Sequence, residues 1–133
     1  MKGHIGADSK EKVIHSTEVT AANVHDSQMV SSLLHGAETK VWGDTAYQGQ
    51  TAAIRAAAPA AQDMTHRRGS RGHPLSDEER AKGKHPLLVI KRIFGFTHVR
   101  YRGLAKKRAR FEVLCALANL YMTRRVLLLC CHA

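Results

Sequence analysis

Asp44 follows Gly43 at the end of the extended-type run Thr39-Lys40-Val41-Trp42, where a carboxylate has a ready use for its oxygens. Taken by itself, it caps a turn, as Asp often does. The nine histidines, His25 and His85 among them, show no two-His spacing with a convergent carboxylate, so they read as surface or packing residues. Cys115, Cys130 and Cys131 form no C-x-x-C pair, and such sparse cysteine suits a reducing cytoplasm. Walker, G-x-G-x-x-G and H-E-x-x-H patterns are absent from the sequence.

A second kind of chemistry lies in the charge. The 133 residues carry 21 Lys and Arg against 11 Asp and Glu, a formal net charge of +10. Residues 1–66 hold 5 basic and 7 acidic side chains and residues 67–133 hold 16 and 4, so the whole excess belongs to the second half. That asymmetry points to a polyanionic partner, nucleic acid above all. The residues placed to contact it are Arg80, Lys91, Arg92, Arg100, Arg102, Lys106 and Lys107, with Arg67, Arg68, Arg71, Arg108 and Arg110 nearby and Phe96 and Tyr101 able to stack among them.

The elements that must position these groups follow from pattern. His4–Asp8 and Val13–Thr20, separated by Ser9-Lys10-Glu11-Lys12, predict a hairpin. Asn23 or Asp26 caps a helix carrying Met29, Val30, Leu33 and Leu34, with Gly36 just past its end. Thr39–Trp42 is a strand, with Trp42 in the core, and Gln50–Ala58 is helical up to Pro59. Residues 67–75, rich in Arg and Gly, read as a basic loop. Ser76 and Glu79 form a capping box for a helix that kinks or restarts at Pro86 and runs through Leu87, Ile90 and Phe94. Lys106–Leu129 is a long amphipathic helix with Leu114, Leu117, Ala118 and Tyr121 on its buried stripe.

The pattern predicts an α/β or α+β unit, short strands followed by basic helices, over residues 1–133: a strand-rich segment 1–66 with Asp44, the loop 67–75 and a basic helical segment 76–133. The opening residues lack the apolar core of a secretory signal. The apolar tract from Phe111 to Met122 stops at Arg124 and Arg125, short of the roughly 20 residues of a membrane span, so no membrane partner is expected.

Several blocks in order carry a resemblance: Gly3-His4-Ile5-Gly6-Ala7-Asp8, Thr20–Asp26, Gly43-Asp44-Thr45-Ala46-Tyr47-Gln48-Gly49, Lys82-Gly83-Lys84-His85-Pro86, Ile90–Phe96, Val99–Lys106 and Ala116–Tyr121. Together they resemble the catalytic region of bacterial insertion-sequence transposases of the DDE class, over nearly the whole chain. The resemblance implies an RNase H-like fold, here incomplete, in which three carboxylates hold two Mg²⁺ or Mn²⁺ ions for DNA cleavage and strand transfer. It implies a cytoplasmic, nucleoid-associated protein with DNA as partner, either as a homo-oligomer or in association with an intact transposase.

Carried over by position, the second acid is Asp44, a metal ligand. The third acid belongs to a helical signature of Tyr, Arg, Glu and Lys, which falls here on Asp77, Arg80, Lys84 and Lys91. Lys84 thus stands in place of the Glu, and an ammonium repels Mg²⁺ and has no free lone pair. Glu79 lies about 140° and Glu78 about 120° from position 84 around a helix, while Asp77 is within about 20° but nearly two turns away. The first acid of the family belongs to a strand preceding the hairpin, so it and the upstream DNA-binding segment of such transposases are expected to be absent from this chain. The expectation is a truncated, inactive transposase fragment, or else a DNA-binding competitor of an intact one, or the product of a decayed reading frame.

Overall fold

A computed structural model describes the backbone of residues 1–65, 77–98 and 101–131, and the side chains of all of these except 77–83 and 131. The loop 67–75, Ser76 and Arg100 lie outside the described residues.

Strands β1 (Lys2–Ala7) and β2 (Ile14–Thr20) pair antiparallel, with Lys2 opposite Thr20 and an irregularity between Gly6 and Ala7. Their connection is held by Asp8, whose carboxylate accepts from the backbone N–H groups of Glu11 at 2.7 Å and Lys10 at 2.9 Å. Those amides, Glu11's first, hold the Asp8 carboxyl below the usual carboxylate range. The expected first helix forms as a 3-10 turn, Asp26–Met29, followed by a single turn of α1 (Val30–Leu33). Its cap is His25, whose ring Nδ1 accepts from Ser27 N–H, rather than Asn23 or Asp26. Gly36 takes φ +89°, the left-handed value expected past a helix end.

Strand β3 is only Lys40–Val41, and it pairs in parallel with β4 (Gln62–Asp63), a strand without a legible sequence pattern. Between them run a 3-10 turn, Thr45–Tyr47, and α2 (Thr51–Ala57), which ends before Pro59 as expected. Trp42 lies past the end of β3 and is half-buried, not enclosed, with its indole N–H buried and unpaired.

Helix α3 (Asp77–Arg92) runs unbroken through Pro86, which is fully buried, so the alternative of a restart at Pro86 is not taken. Helix α4 (Leu104–Cys131) packs on β2 and α3. The main core joins Ile14 and Val19 of β2, Val89 and Ile90 of α3, and Phe111, Leu114, Cys115 and Ala118 of α4. The buried stripe of α4 is thus rotated from the expected one: Leu117 is 40% exposed and Tyr121 only half-buried, while Phe111 and Cys115 take the inner places. Desolvation, with Glu112 nearby, pushes the Cys115 thiol up to about 12. Burial of the inner face, not the densest run of leucines, sets the rotation.

The apolar tract also continues past Arg124 and Arg125 through Val126–Cys130, correcting the expected stop. Over Leu104–Cys130 α4 is long and apolar enough to cross a membrane by length and composition, with a mean hydropathy of 1.5 in its most apolar window and 17% of that window buried.

Candidate functional site

Asp44 sits where β3 gives way to the 3-10 turn. Gly43 precedes it because the backbone there is crowded: a Cβ would meet Tyr47 Cβ at 3.2 Å and Thr65 Oγ1 at 3.3 Å. Asp44 itself is exposed, with extended backbone, and its Oδ1 accepts from Ala46 N–H at 2.9 Å, capping the turn. Tyr47, half-buried beneath it, has its phenol pushed above its ordinary value by burial first and then by Asp26 and Asp44, which places both carboxylates in its field. Asp26 is already engaged, because Lys2 Nζ donates to it at 2.9 Å and also to Val24 O at 2.9 Å. The Lys2 hydrogen bond holds the Asp26 carboxyl below its usual range.

On the far side of the corner Asp63, at the end of β4, accepts from Thr51 Oγ1 at 2.6 Å and Thr65 N–H at 2.9 Å. With Gln48, Gly49, Thr51 and Thr65 it lines an open hollow of about 230 Å³, smaller than the clefts that enclose cofactors or drug-sized ligands. From sequence Asp26 had only a helix-cap role and Tyr47 and Asp63 had none, although Asp26 and Tyr47 lie inside the blocks that carried the resemblance.

The basic groups occupy the other part of the molecule. Lys84, Lys91 and Arg92 are exposed on α3, and Lys84 and Lys91, seven residues apart, lie within about 20° of each other around the helix. Arg102 precedes α4, Lys106 is exposed in its first turn and Lys107 is half-buried there. Arg80 lies in α3 with its side chain outside the described set. Among the described residues no hydrogen bond or ion pair joins Asp44 to Lys84, Lys91 or Arg92, and no group of three His, Cys, Asp or Glu is arranged to hold a metal ion.

Two arginines expected among the phosphate contacts are otherwise occupied. Arg108 pairs with Glu18 on β2, tying α4 to the hairpin. The Arg110 guanidinium lies 5.3 Å from the centroid of the Tyr101 ring and 5.9 Å from that of Phe96, so the expected stacking of aromatics among the arginines is found within the protein. Lys84, Lys91, Arg92, Arg102 and Lys106 remain as exposed cations on α3 and the start of α4.

No solved structure matches the chain. A family model described as the transposase DDE domain matches residues 1–120, from the first strand through the buried stretch of α4 and across both the carboxylate corner and the cationic helices. On that match, covering nine-tenths of its length, the chain belongs to the transposase DDE domain family.

Proposed function

We propose that this chain is a DNA-binding member of the transposase family that does not itself cleave or join DNA strands. The observation carrying the proposal is Lys84, exposed on α3, where the helical signature read from the sequence sets the family's third acid. Family members in general act on DNA with divalent metal ions. Among the described residues no group of carboxylates is arranged for such ions: Asp44 lends one oxygen to a turn cap, Asp26 is paired with Lys2, and a lysine stands at position 84. No catalytic step is therefore assigned to a metal here.

What remains is electrostatic. Lys84, Lys91, Arg92, Arg102 and Lys106 present a cationic surface to the phosphates of duplex DNA from an insertion element of bacterial type, in the cytoplasm, and the sequence adds Arg80, Arg100 and Lys107 as further candidate contacts. In this role the chain competes with an intact transposase for element ends or associates with it. The remnant reading extends this proposal and draws its support from the two separate two-stranded sheets among the described residues. A product too damaged to fold is a second reading, favoured only by those short sheets; a cooperative thermal transition dismisses it.

The test is incubation of purified chain with element-end duplex at millimolar Mg²⁺ or Mn²⁺. Binding that weakens steeply with salt, without nicked product, is the expected result. Nicking that disappears on Asp44→Ala overturns the proposal, as does failure to bind at low salt.

A further inference from the structure

Helix α4 carries two apolar faces, and the core uses only one. Phe111, Leu114, Cys115 and Ala118 face β2 and α3, whereas Val113, Leu117, Leu120 and Leu127 remain 59%, 40%, 58% and 46% exposed. Counted from Val113, the exposed set with Arg124 recurs at alternating steps of four and three, within an arc of about 80° on the side opposite the buried stripe. That is the spacing of a coiled-coil seam. Beside it run Ala109, Ala116, Thr123 and Cys130, one small residue every seven, which lets a neighbouring backbone come close.

We infer that this face pairs with α4 of a second copy of the chain, antiparallel. The inference is independent of the DNA reading above. Three observations select the occupant. First, the centre of the seam is complementary to itself when reversed: with Leu117 set against Leu120 of the other copy, Val113 meets the stem of its Arg124, both contacts recur by symmetry, and Leu127 falls beside Ala109 and the stem of Arg110. The Arg124 guanidinium lies 4.0 Å from the centroid of its own Tyr121 ring, leaving its aliphatic stem for the contact.

Second, the charges suit only this direction. The first turns of α4 bear Lys106, Lys107, Arg108 and Arg110 and no acid, and its last turn bears no basic residue. Antiparallel pairing sets each electronegative helix end beside the other copy's lysines, whereas parallel pairing stacks lysine on lysine and Arg124 on Arg124. Third, the area suffices. Val113, Leu117, Leu120, Leu127 and the adjoining Leu128 present on the order of 400 Å² of apolar surface per copy, so with the flanking alanines a pair buries about 1,000 Å², the lower bound for a specific interface. A bilayer is the competing occupant, but Arg124 and Arg125 would lie inside the apolar window, where charge is costly.

Sedimentation equilibrium of the full chain without DNA tests the pairing. A monomer–dimer equilibrium in the micromolar range is expected, with Leu120→Glu raising the dissociation constant at least tenfold; circular dichroism of that variant, changed at an exposed site, checks that it stays folded. Orientation is read in a background with Cys130→Ser and Cys131→Ser: mixed Leu117→Cys and Leu120→Cys chains cross-link to each other more readily than either does to itself. A chain that stays monomeric at about 100 µM overturns the inference. So does self-cross-linking of each single variant, or a monomer that instead co-sediments with anionic phospholipid vesicles.

Discussion

Asn119 shows how much one side chain can organise. Its Oδ1 accepts from Ile14 N–H at 2.8 Å and its Nδ2 donates to Ile14 C=O at 2.8 Å, so an amide on α4 serves the first residue of β2 as a neighbouring strand would. Replacing it with Leu leaves both Ile14 groups without partners in a half-buried place. The expected cost is about 2 kcal/mol, read as a lower midpoint in urea unfolding with an unchanged slope. His4 makes a different kind of statement. It is buried at 5% exposure with Nε2 2.9 Å from Thr20 Oγ1, and burial pushes its pKa below the ordinary value. His15 is lowered too, by burial and then by His35, whose ring centroid lies 4.7 Å away. Both groups bind protons more readily in the unfolded chain, so their stabilisation is complete above about pH 6.5 and is lost as pH falls below it. The melting temperature should drop between pH 7.5 and pH 5.5, and His4→Asn should flatten that slope; an unchanged slope in the variant assigns the effect elsewhere.

At the scale of elements, the hairpin and α4 fit through a missing side chain. A Cβ on Gly3 would come 2.8 Å from Phe111 Cζ, and Phe111 is almost wholly buried. Gly3→Ala should therefore cost about 1–3 kcal/mol by displacing the ring, and pairing it with Phe111→Leu should recover part of the loss in a double-mutant cycle. The basic helices act in another way, since their exposed cations are free to meet phosphate. Lys91→Ala and Lys106→Ala should each lower the slope of log affinity against log salt by about one, with little change in melting temperature. Equal slopes would remove those two lysines from the interface. The sequence was legible where an element has its own pattern. The hairpin showed in its β-branched run, α2 in its alanines before Pro59, and α4 in its length. Strand β4 did not, because two residues pairing with β3 carry no periodicity, and the rotation of α4 is a property of what packs against it.

Considered whole, the molecule divides its charge and its carboxylates between two regions. Asp44 and Tyr47 lie at the 3-10 turn after β3 and Asp63 in β4, while the exposed cations Lys84, Lys91, Arg92, Arg102 and Lys106 lie on α3 and at the start of α4. The charge asymmetry and the position of Lys84 were readable from the chain, because both are linear properties. The commitment of Asp44 to Ala46, of Asp26 to Lys2 and of Arg108 to Glu18 was not, because each depends on a turn or on a contact across the fold. Increasing Mg²⁺ should therefore leave the melting temperature of this chain within a degree or so of its metal-free value; a rise of several degrees, expected for a ligand bound well below its working concentration, would reveal a resident ion.

The bond between Ile14 and Asn119 joins residues 105 positions apart in the chain. During synthesis at about 5–20 residues per second, β1 and β2 therefore emerge some 5–20 s before Asn119 exists. Until then Ile14 and Val19 lack their partners on α4 and the hairpin keeps an uncovered face. Closure of the main core is thus an event after most of translation, and the yield of native protein should depend on what shields the nascent hairpin, rising when a holding chaperone is abundant and falling when many ribosomes crowd one message.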